Sequence, residues 1–182
     1  MTKRHFLTIA STGLTIALVA GFLMATSAHA QVNDNQGFSI TVPSRLSITA
    51  PSASVSETHG GTAADHAFTT QQWAVKANAR NGATVVFSTD QAFTHEEQSD
   101  IKRDAKLDLS IASSSGPASW TLAVASDQTD HAASDEVATV QAGSTRPGKA
   151  AFDLTVTFLT GDIETLAEGD YDLTITGTLT AN

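Results

Sequence analysis

The chain has 182 residues, no cysteine, and 19 Asp and Glu against 10 Lys and Arg, so its formal net charge is −9 at neutral pH. The acidic balance argues against a nucleic-acid partner, whose footprint would be a basic patch. The absence of cysteine excludes disulfides and a cysteine nucleophile, and the length suits one domain with its own core.

Residues 1–30 have the pattern of a secretory signal peptide. Lys3 and Arg4 precede an apolar run over residues 6–24, and Ala30 ends a small-x-small cleavage site. This order of features is typical of Sec-dependent export. Ala, Gly, Ser and Thr dilute the run, which argues against the alternative of a membrane anchor. We predict a secreted protein at the cell surface, outside the cell or in the periplasm, with no transmembrane segment after signal removal.

The mature chain is predicted to begin with a flexible polar leader, residues 31–37, followed by one domain over residues 38–182. Phe38, Ile40 and Val42 alternate with small polar residues, which indicates a strand with one apolar face. The alternation resumes over residues 46–48 between two prolines, as expected for an edge strand with a bend.

The next two strands are predicted to form a hairpin around Gly82. Trp73 and Val75 lie on one face of the first strand, and Val85 and Phe87 lie on one face of the second. A two-residue turn would place these sets on opposite sides of the sheet. A three-residue loop would pair Val75 with Phe87 and would require a left-handed Gly82.

The second half of the chain continues the same pattern with one predicted exception. Thr94 and Glu97 match a capping box, so residues 94–103 are predicted to begin a short surface helix. Alternating strands follow at residues 107–111, 120–124 and 137–141.

The last two predicted strands, residues 150–158 and 171–179, are joined by one corner. Eight or nine short strands separated by turns and without a long helix indicate an all-β fold, a single antiparallel β-sandwich of immunoglobulin-like type. The side chains expected inside it, with both tryptophans largely buried, are Phe38, Trp73, Val75, Phe87, Leu109, Trp120, Leu122, Phe152, Leu154, Val156, Tyr171, Leu173 and Ile175.

Catalytic motifs are missing from the sequence. The stretch from His95 to Ser99 begins like a zinc-protease helix, but Ser99 occupies the place of the second histidine ligand. No Gly-x-Ser-x-Gly elbow occurs, and His59, His66 and His131 lie in predicted loops. We therefore predict no enzymatic activity and assign no catalytic or cofactor-binding residue.

Two features leave a binding role open. The first is a pair of acidic loops, since calcium is bound by carboxylate and carbonyl oxygens of flexible loops. Neither loop has the regular Asp-x-Asp spacing of a calcium motif. Loops that are simply solvated are therefore the alternative, and we assign no metal ligand. The two tryptophans could form a platform for a glycan, although each is in phase with aliphatic neighbours. The acidic residues crowd two loops: Asp127, Asp130, Asp135 and Glu136 in one, and Asp162, Glu164, Glu168, Asp170 and Asp172 in the other.

The end of the chain carries a resemblance to known families. The pattern of Leu166, Gly169 and Tyr171 resembles the corner of immunoglobulin-like domains, where the tyrosine hydroxyl bonds to backbone a few residues upstream. The strand over residues 169–176 is similar to the final strand of bacterial pilin-like and spore-coat-U-like surface subunits. The chain departs from them in lacking a disulfide, and from immunoglobulin-like domains in ending with this strand.

The resemblance implies a structural role at the cell surface. Subunits of this kind assemble when the N-terminal strand of one completes the sandwich of a neighbour, and residues 38–42 would be the donor. We expect an exported, non-enzymatic cell-surface or appendage protein that acts by self-association or by contact with another surface protein. The alternative is a secreted carbohydrate- or calcium-binding β-sandwich module.

Overall fold

The computed structural model describes residues 33–182, so the predicted signal peptide lies outside the described residues. The chain forms two compact units, one ending at Ile40 and one from Thr41 to Asn182. Residues 33–40 of the first unit have no regular secondary structure and are exposed. No helix within residues 33–182 is long and apolar enough to cross a membrane.

The second unit is all-β and antiparallel, which confirms the predicted fold class. It contains thirteen strands rather than eight or nine, because several two- or three-residue strands join the longer ones. In chain order the strands are β1 (Leu46–Thr49), β2 (His66–Ala67), β3 (Gln71–Ala77), β4 (Ala83–Thr89), β5 (Phe93–His95), β6 (Lys102–Arg103), β7 (Ala105–Ser115), β8 (Trp120–Val124), β9 (Ser126–Gln128), β10 (Thr139–Ser144), β11 (Gly148–Phe158), β12 (Tyr171–Asp172) and β13 (Ile175–Ala181).

The strands form three antiparallel sheets. A six-stranded sheet has the order β1-β3-β11-β7-β9, with β2 paired to the end of β11, and a four-stranded sheet has the order β13-β4-β10-β8. A three-stranded sheet has the order β12-β5-β6. Two single turns of 3-10 helix, His131–Ala133 and Ile163–Thr165, lie in the connections.

The main core is built from alternate residues of the two larger sheets. Val75 and Phe152 come from the six-stranded sheet, Phe87 and Val140 come from the four-stranded sheet, and all four are fully buried. Each such side chain stabilises the fold by about 1.5–3 kcal/mol through burial. Leu109, Trp120 and Leu154 are also buried as predicted, whereas Trp73, Leu122, Val156 and Ile175 are half-buried against the same cluster.

A second, smaller core lies under the three-stranded sheet. Phe93, Ala105 and Phe158 are buried there, and Tyr171 and Leu173 pack against them. The rings of Phe158 and Tyr171 meet edge to face with centroids 5.4 Å apart, a preferred geometry for aromatic pairs.

The predicted hairpin between β3 and β4 is wrong, although Gly82 has the predicted positive φ, 82°. Val75 pairs with Ile48 and Ala150 in one sheet, while Phe87 pairs with residues of β10 and β13 in the other. Alternation shows only which side chains share a face. The alternating apolar residues of β3 and of β4 are equally compatible with a hairpin and with a turn that carries the chain from one sheet to the other.

The predicted surface helix over residues 94–103 is also wrong. This segment contains β5 and β6, and the His95 amide donates to the Ile101 carbonyl. The Thr94 hydroxyl donates to the Ala92 carbonyl instead of capping a helix. Phe93 and His95 alternate on a buried face, so tertiary packing overrides a local helix-start pattern.

Phe38 is not in the core, contrary to the prediction. Its side chain is 88% exposed, and the first strand begins only at Leu46. The alternating pattern of residues 38–42 is real in the sequence, but no strand of the described chain pairs with it.

Candidate assembly site

The strand registers place the connecting loops at two opposite ends of the sandwich. At the end that we name the head, β1 begins, Leu46 lies opposite Ala77, and Ala181 lies opposite Ala83. At the other end, named the tail, β11 finishes and the corner over residues 159–174 leads into β13. The eleven residues of β11 span about 35 Å between the two ends.

One edge of the four-stranded sheet is open. Within residues 33–182, β13 pairs only with β4. The Asn182 amide donates to the Gly82 carbonyl, and the Asp90 amide donates to the Thr174 carbonyl. Hydrogen-bonded pairs alternate in an antiparallel ladder, so the backbone groups that point away from β4 belong to Ile175, Gly177, Leu179 and Ala181.

β1 forms the edge of the facing sheet beside β13. It pairs only with β3 among the described strands. A Cβ on Gly177 would lie 2.8 Å from a side-chain carbon of Ile48 and 2.9 Å from one of Trp73, so the absence of a side chain at Gly177 lets these two apolar groups approach β13 closely. The two sheets are therefore closed against each other midway along this side.

Toward the tail the same side opens into a cleft whose lining is partly apolar. Its volume is about 600 Å³, and its walls are the segment after β1, residues 50–55, and the segment into β13, residues 172–175. The floor is formed by side chains of β3, β5 and β11 and of the loop before β3: Phe68, Trp73, Phe93, Leu154 and Val156.

The chain also carries an exposed apolar segment. Phe38, Ile40 and Val42 are exposed by 88%, 89% and 74%. They occupy alternate positions, so an extended backbone would place all three on one face. Residues 43–45 connect this segment to β1 at the head of the sandwich.

The corner beside the cleft is held by Tyr171 and His95. The Tyr171 hydroxyl donates to the Ala167 carbonyl at 3.2 Å, as the corner pattern predicts. The buried His95 ring packs edge to face on Tyr171, with centroids 5.1 Å apart. A Cβ on Gly169 would lie 2.2 Å from this ring, so glycine is required there.

Sequence reasoning missed the role of His95. Its Nε2 donates to the Glu168 carbonyl at 2.9 Å, and its Nδ1 accepts from the Glu97 amide at 3.1 Å. The alternation of Phe93 and His95 was the available signal, but the capping-box pattern over the same residues favoured a helix.

The three loop histidines do not form a site together. His59 and His66 lie with ring centroids 6.0 Å apart, where His59 bonds to the buried Thr160 hydroxyl and His66 pairs with Glu57. His131 instead contacts Glu136, with 2.6 Å between its Nδ1 and the carboxylate. His66 belongs to β2, so its contact ties a loop to the sheet, whereas the other two contacts join residues of the connections.

The acidic residues of the first predicted calcium loop serve as backbone acceptors and ion-pair partners. Asp127 accepts from the Thr139 amide, and Asp130 caps a 3-10 turn. The hydrogen bond from His131, together with the nearby Lys102, holds the pKa of the Glu136 carboxyl below its ordinary value.

The second acidic loop is organised in a similar way. Asp162 accepts from the Glu164 amide and caps the second 3-10 turn. In residues 33–182, no three His, Asp or Glu side chains converge in a way that could hold a metal ion.

The two tryptophans have different surroundings. Trp120 is 6% exposed and packs on Phe152, as predicted, and its buried indole nitrogen makes no hydrogen bond within the described chain. Trp73 is partly buried against the core and also lines the cleft. The pair therefore cannot form a shared glycan platform on one surface.

Comparison with family models, curated proteins and solved structures finds no match for this chain.

Proposed function

We propose that this protein is an exported, non-enzymatic structural protein of the cell surface that self-associates by strand exchange. Residues 38–42 of one copy add as a strand beside β13 of a second copy, with their apolar side chains in its cleft. The observation that carries the proposal is the row of three large, exposed apolar side chains at alternate positions outside the sandwich.

The acceptor side supports the proposal through its backbone. The outward amides and carbonyls of β13 are a template for one more strand. Strand addition supplies main-chain hydrogen bonds for affinity, while pockets for alternate side chains provide register. β13 has seven residues and the donor segment has five, so the edge is long enough to pair with the whole segment.

The cleft supports the proposal through its chemistry. Its floor contains three aromatic and two aliphatic side chains, of which Phe68, Trp73 and Val156 are only partly buried. Burying Phe38, Ile40 and Val42 against such a floor would contribute about 1.5–3 kcal/mol for each side chain. The donor segment contains no charged residue, so it would bring no charge of its own into the cleft.

The test is the size distribution of the protein by light scattering over a range of concentrations. Replacement of Phe38, Ile40 and Val42 by serine should abolish concentration-dependent assembly. The matched control replaces Ser39 and Thr41 by alanine, which changes the same segment on its opposite face and should leave assembly intact.

The outcomes separate the proposal from its alternative. A parent protein that is monomeric at all concentrations, or a serine variant that assembles like the parent, would contradict the proposed strand exchange. Assembly that disappears with a calcium chelator but persists in the serine variant would favour the calcium-binding module.

A further inference from the structure

The charges of the sandwich are segregated between its two ends. The head carries five of the ten Lys and Arg, and all five are exposed: Arg45, Lys76, Arg80, Arg146 and Lys149. No Asp or Glu occurs in the segments that form the head, which are residues 43–48, 75–86, 112–123, 141–151 and 178–182.

The tail has the opposite composition. Its loops are residues 50–70, 90–104, 125–138 and 159–174, and they contain sixteen of the 19 Asp and Glu against two Lys and Arg. One of these two cations, Lys102, is already paired with Glu136. Because the ends lie about 35 Å apart, several Debye lengths at physiological salt, each end acts as a separate surface.

The cations of the head lack counter-ions within the described chain. Lys76 and Lys149 are direct cross-strand partners on the outer face of the six-stranded sheet, an arrangement that is destabilising for like charges. Their other cross-strand partners are Ser47 and Ser115. None of the ion pairs within residues 33–182 involves a cation of the head.

The head also has a shallow cleft of about 330 Å³, which is lined by three of these cations and by apolar side chains. It is lined by Arg45, Lys76, Lys149 and Asn78 together with Pro117 and Pro147. A partner with carboxylates around a small apolar contact would match this lining.

The direction of strand exchange agrees with the charges. The donor segment joins the sandwich at the head, whereas the acceptor cleft opens at the tail beside residues 172–175. Three residues, 43–45, separate the donor from β1 and reach at most about 10 Å. A donor that enters the cleft of a second copy therefore brings the head of its own copy close to that copy's tail.

We propose that the basic head is a docking surface for the acidic tail of a second copy, so that copies stack head to tail. This inference rests on the proposed self-association. It adds the direction in which the copies stack and the charged surfaces that favour this direction. Head and tail are different surfaces, so the contact is heterologous and repeats at each added copy, which produces a ring or an open filament rather than a two-fold dimer.

The experiment measures assembly of purified protein by sedimentation velocity. The variant with Lys76→Gln and Lys149→Gln should assemble about tenfold more weakly, as expected for the loss of two exposed charge contacts. The control with Ser110→Glu and Val124→Glu makes the same change in net charge at exposed positions on the sheets, outside the segments of the head and the tail, and should assemble like the parent. Raising salt from about 0.01 M to about 1 M should weaken the parent, because the Debye length falls from about 30 Å to about 3 Å.

A charge swap tests the polarity directly. Lys76→Glu with Lys149→Glu in one version, and Glu164→Lys with Glu168→Lys in another, should each impair self-assembly, and mixing the two should restore it. Circular dichroism and melting temperature confirm that every variant is folded.

The results separate this inference from strand exchange. Lysine variants that assemble like the parent, or a mixture that fails to recover, would overturn head-to-tail docking while leaving strand exchange intact. Assembly that persists in the serine variant but is lost in the variant with Lys76→Gln and Lys149→Gln would overturn strand exchange and support docking. A parent that never assembles would overturn both.

Discussion

At the scale of one residue, the positive φ of Gly82 was predicted correctly, but from a hairpin that the structure does not contain. Its φ is 82°, and a Cβ there would lie 2.1 Å from the Ser144 carbonyl oxygen. The predicted three-residue hairpin loop would require a left-handed glycine, and so does the observed turn, in which the Gly82 amide donates to the Ala79 carbonyl. The close approach of Ser144 arises from β10, which no local pattern at Gly82 could reveal.

Gly82→Ala should therefore cost more stability than backbone strain alone. Gly161→Ala is the matched control, because Gly161 has φ 62° but nothing within 4 Å of its missing Cβ. We expect about 1–2 kcal/mol for the control from left-handed strain. Gly82→Ala should add about 1–3 kcal/mol from overpacking against backbone. Urea unfolding of both variants measures the difference, and equal losses would contradict the clash.

Glu136 allows a prediction about pH at the same scale. The hydrogen bond from His131 lowers the pKa of its carboxyl in the folded state, so the unfolded chain binds the proton more tightly and the contact stabilises the fold above the ordinary glutamate pKa of about 4.3. Glu136→Gln should reduce the free energy of unfolding by up to about 1 kcal/mol at neutral pH, in the range of exposed ion pairs.

The pH dependence is the informative part of that measurement. The difference between parent and Glu136→Gln should shrink as pH falls through the lowered folded-state pKa, since both proteins are then uncharged at this position. Glu168→Gln, at an exposed residue with no ion pair within residues 33–182, should have little effect throughout. A constant difference down to low pH would show that packing rather than charge explains the loss.

At the scale of elements, the three-stranded sheet is where local signals failed most. Thr94 and Glu97 matched a helix start, yet β5 and β6 pair there and bury Phe93 and His95. The helix would have left those side chains without the second core to pack on. The corner pattern at Tyr171 succeeded because it describes a contact only four residues long.

Tyr171→Phe tests how much the Tyr171 hydrogen bond stabilises the corner beside the cleft. The substitution removes one hydroxyl donor to the Ala167 carbonyl and should cost about 0.5–1.5 kcal/mol. Amide exchange should accelerate in residues 166–173 and stay unchanged in β4 and β10. Uniform acceleration across all strands would mean that the hydrogen bond supports the whole sandwich rather than the corner.

At the scale of the whole molecule, the proposed self-association would use surfaces that exist only after folding. The cleft combines side chains from β3, β5 and β11 that are far apart in sequence. The segregated charges likewise come from loops spread along the entire chain. An interface between copies that are each strongly acidic needs complementary ends, and the antiparallel topology provides them by collecting the basic turns at the head.

Alternation along the sequence was enough to predict the all-β class, most of the core and the shared apolar face of residues 38–42, because a period of two is a local property of an extended chain. The folded arrangement was needed to see which strands share a sheet, that Phe38 lies outside the core and that Trp73 borders a cleft. Those outcomes depend on pairing between distant strands, where several arrangements satisfy the same alternation and packing of the whole core selects one.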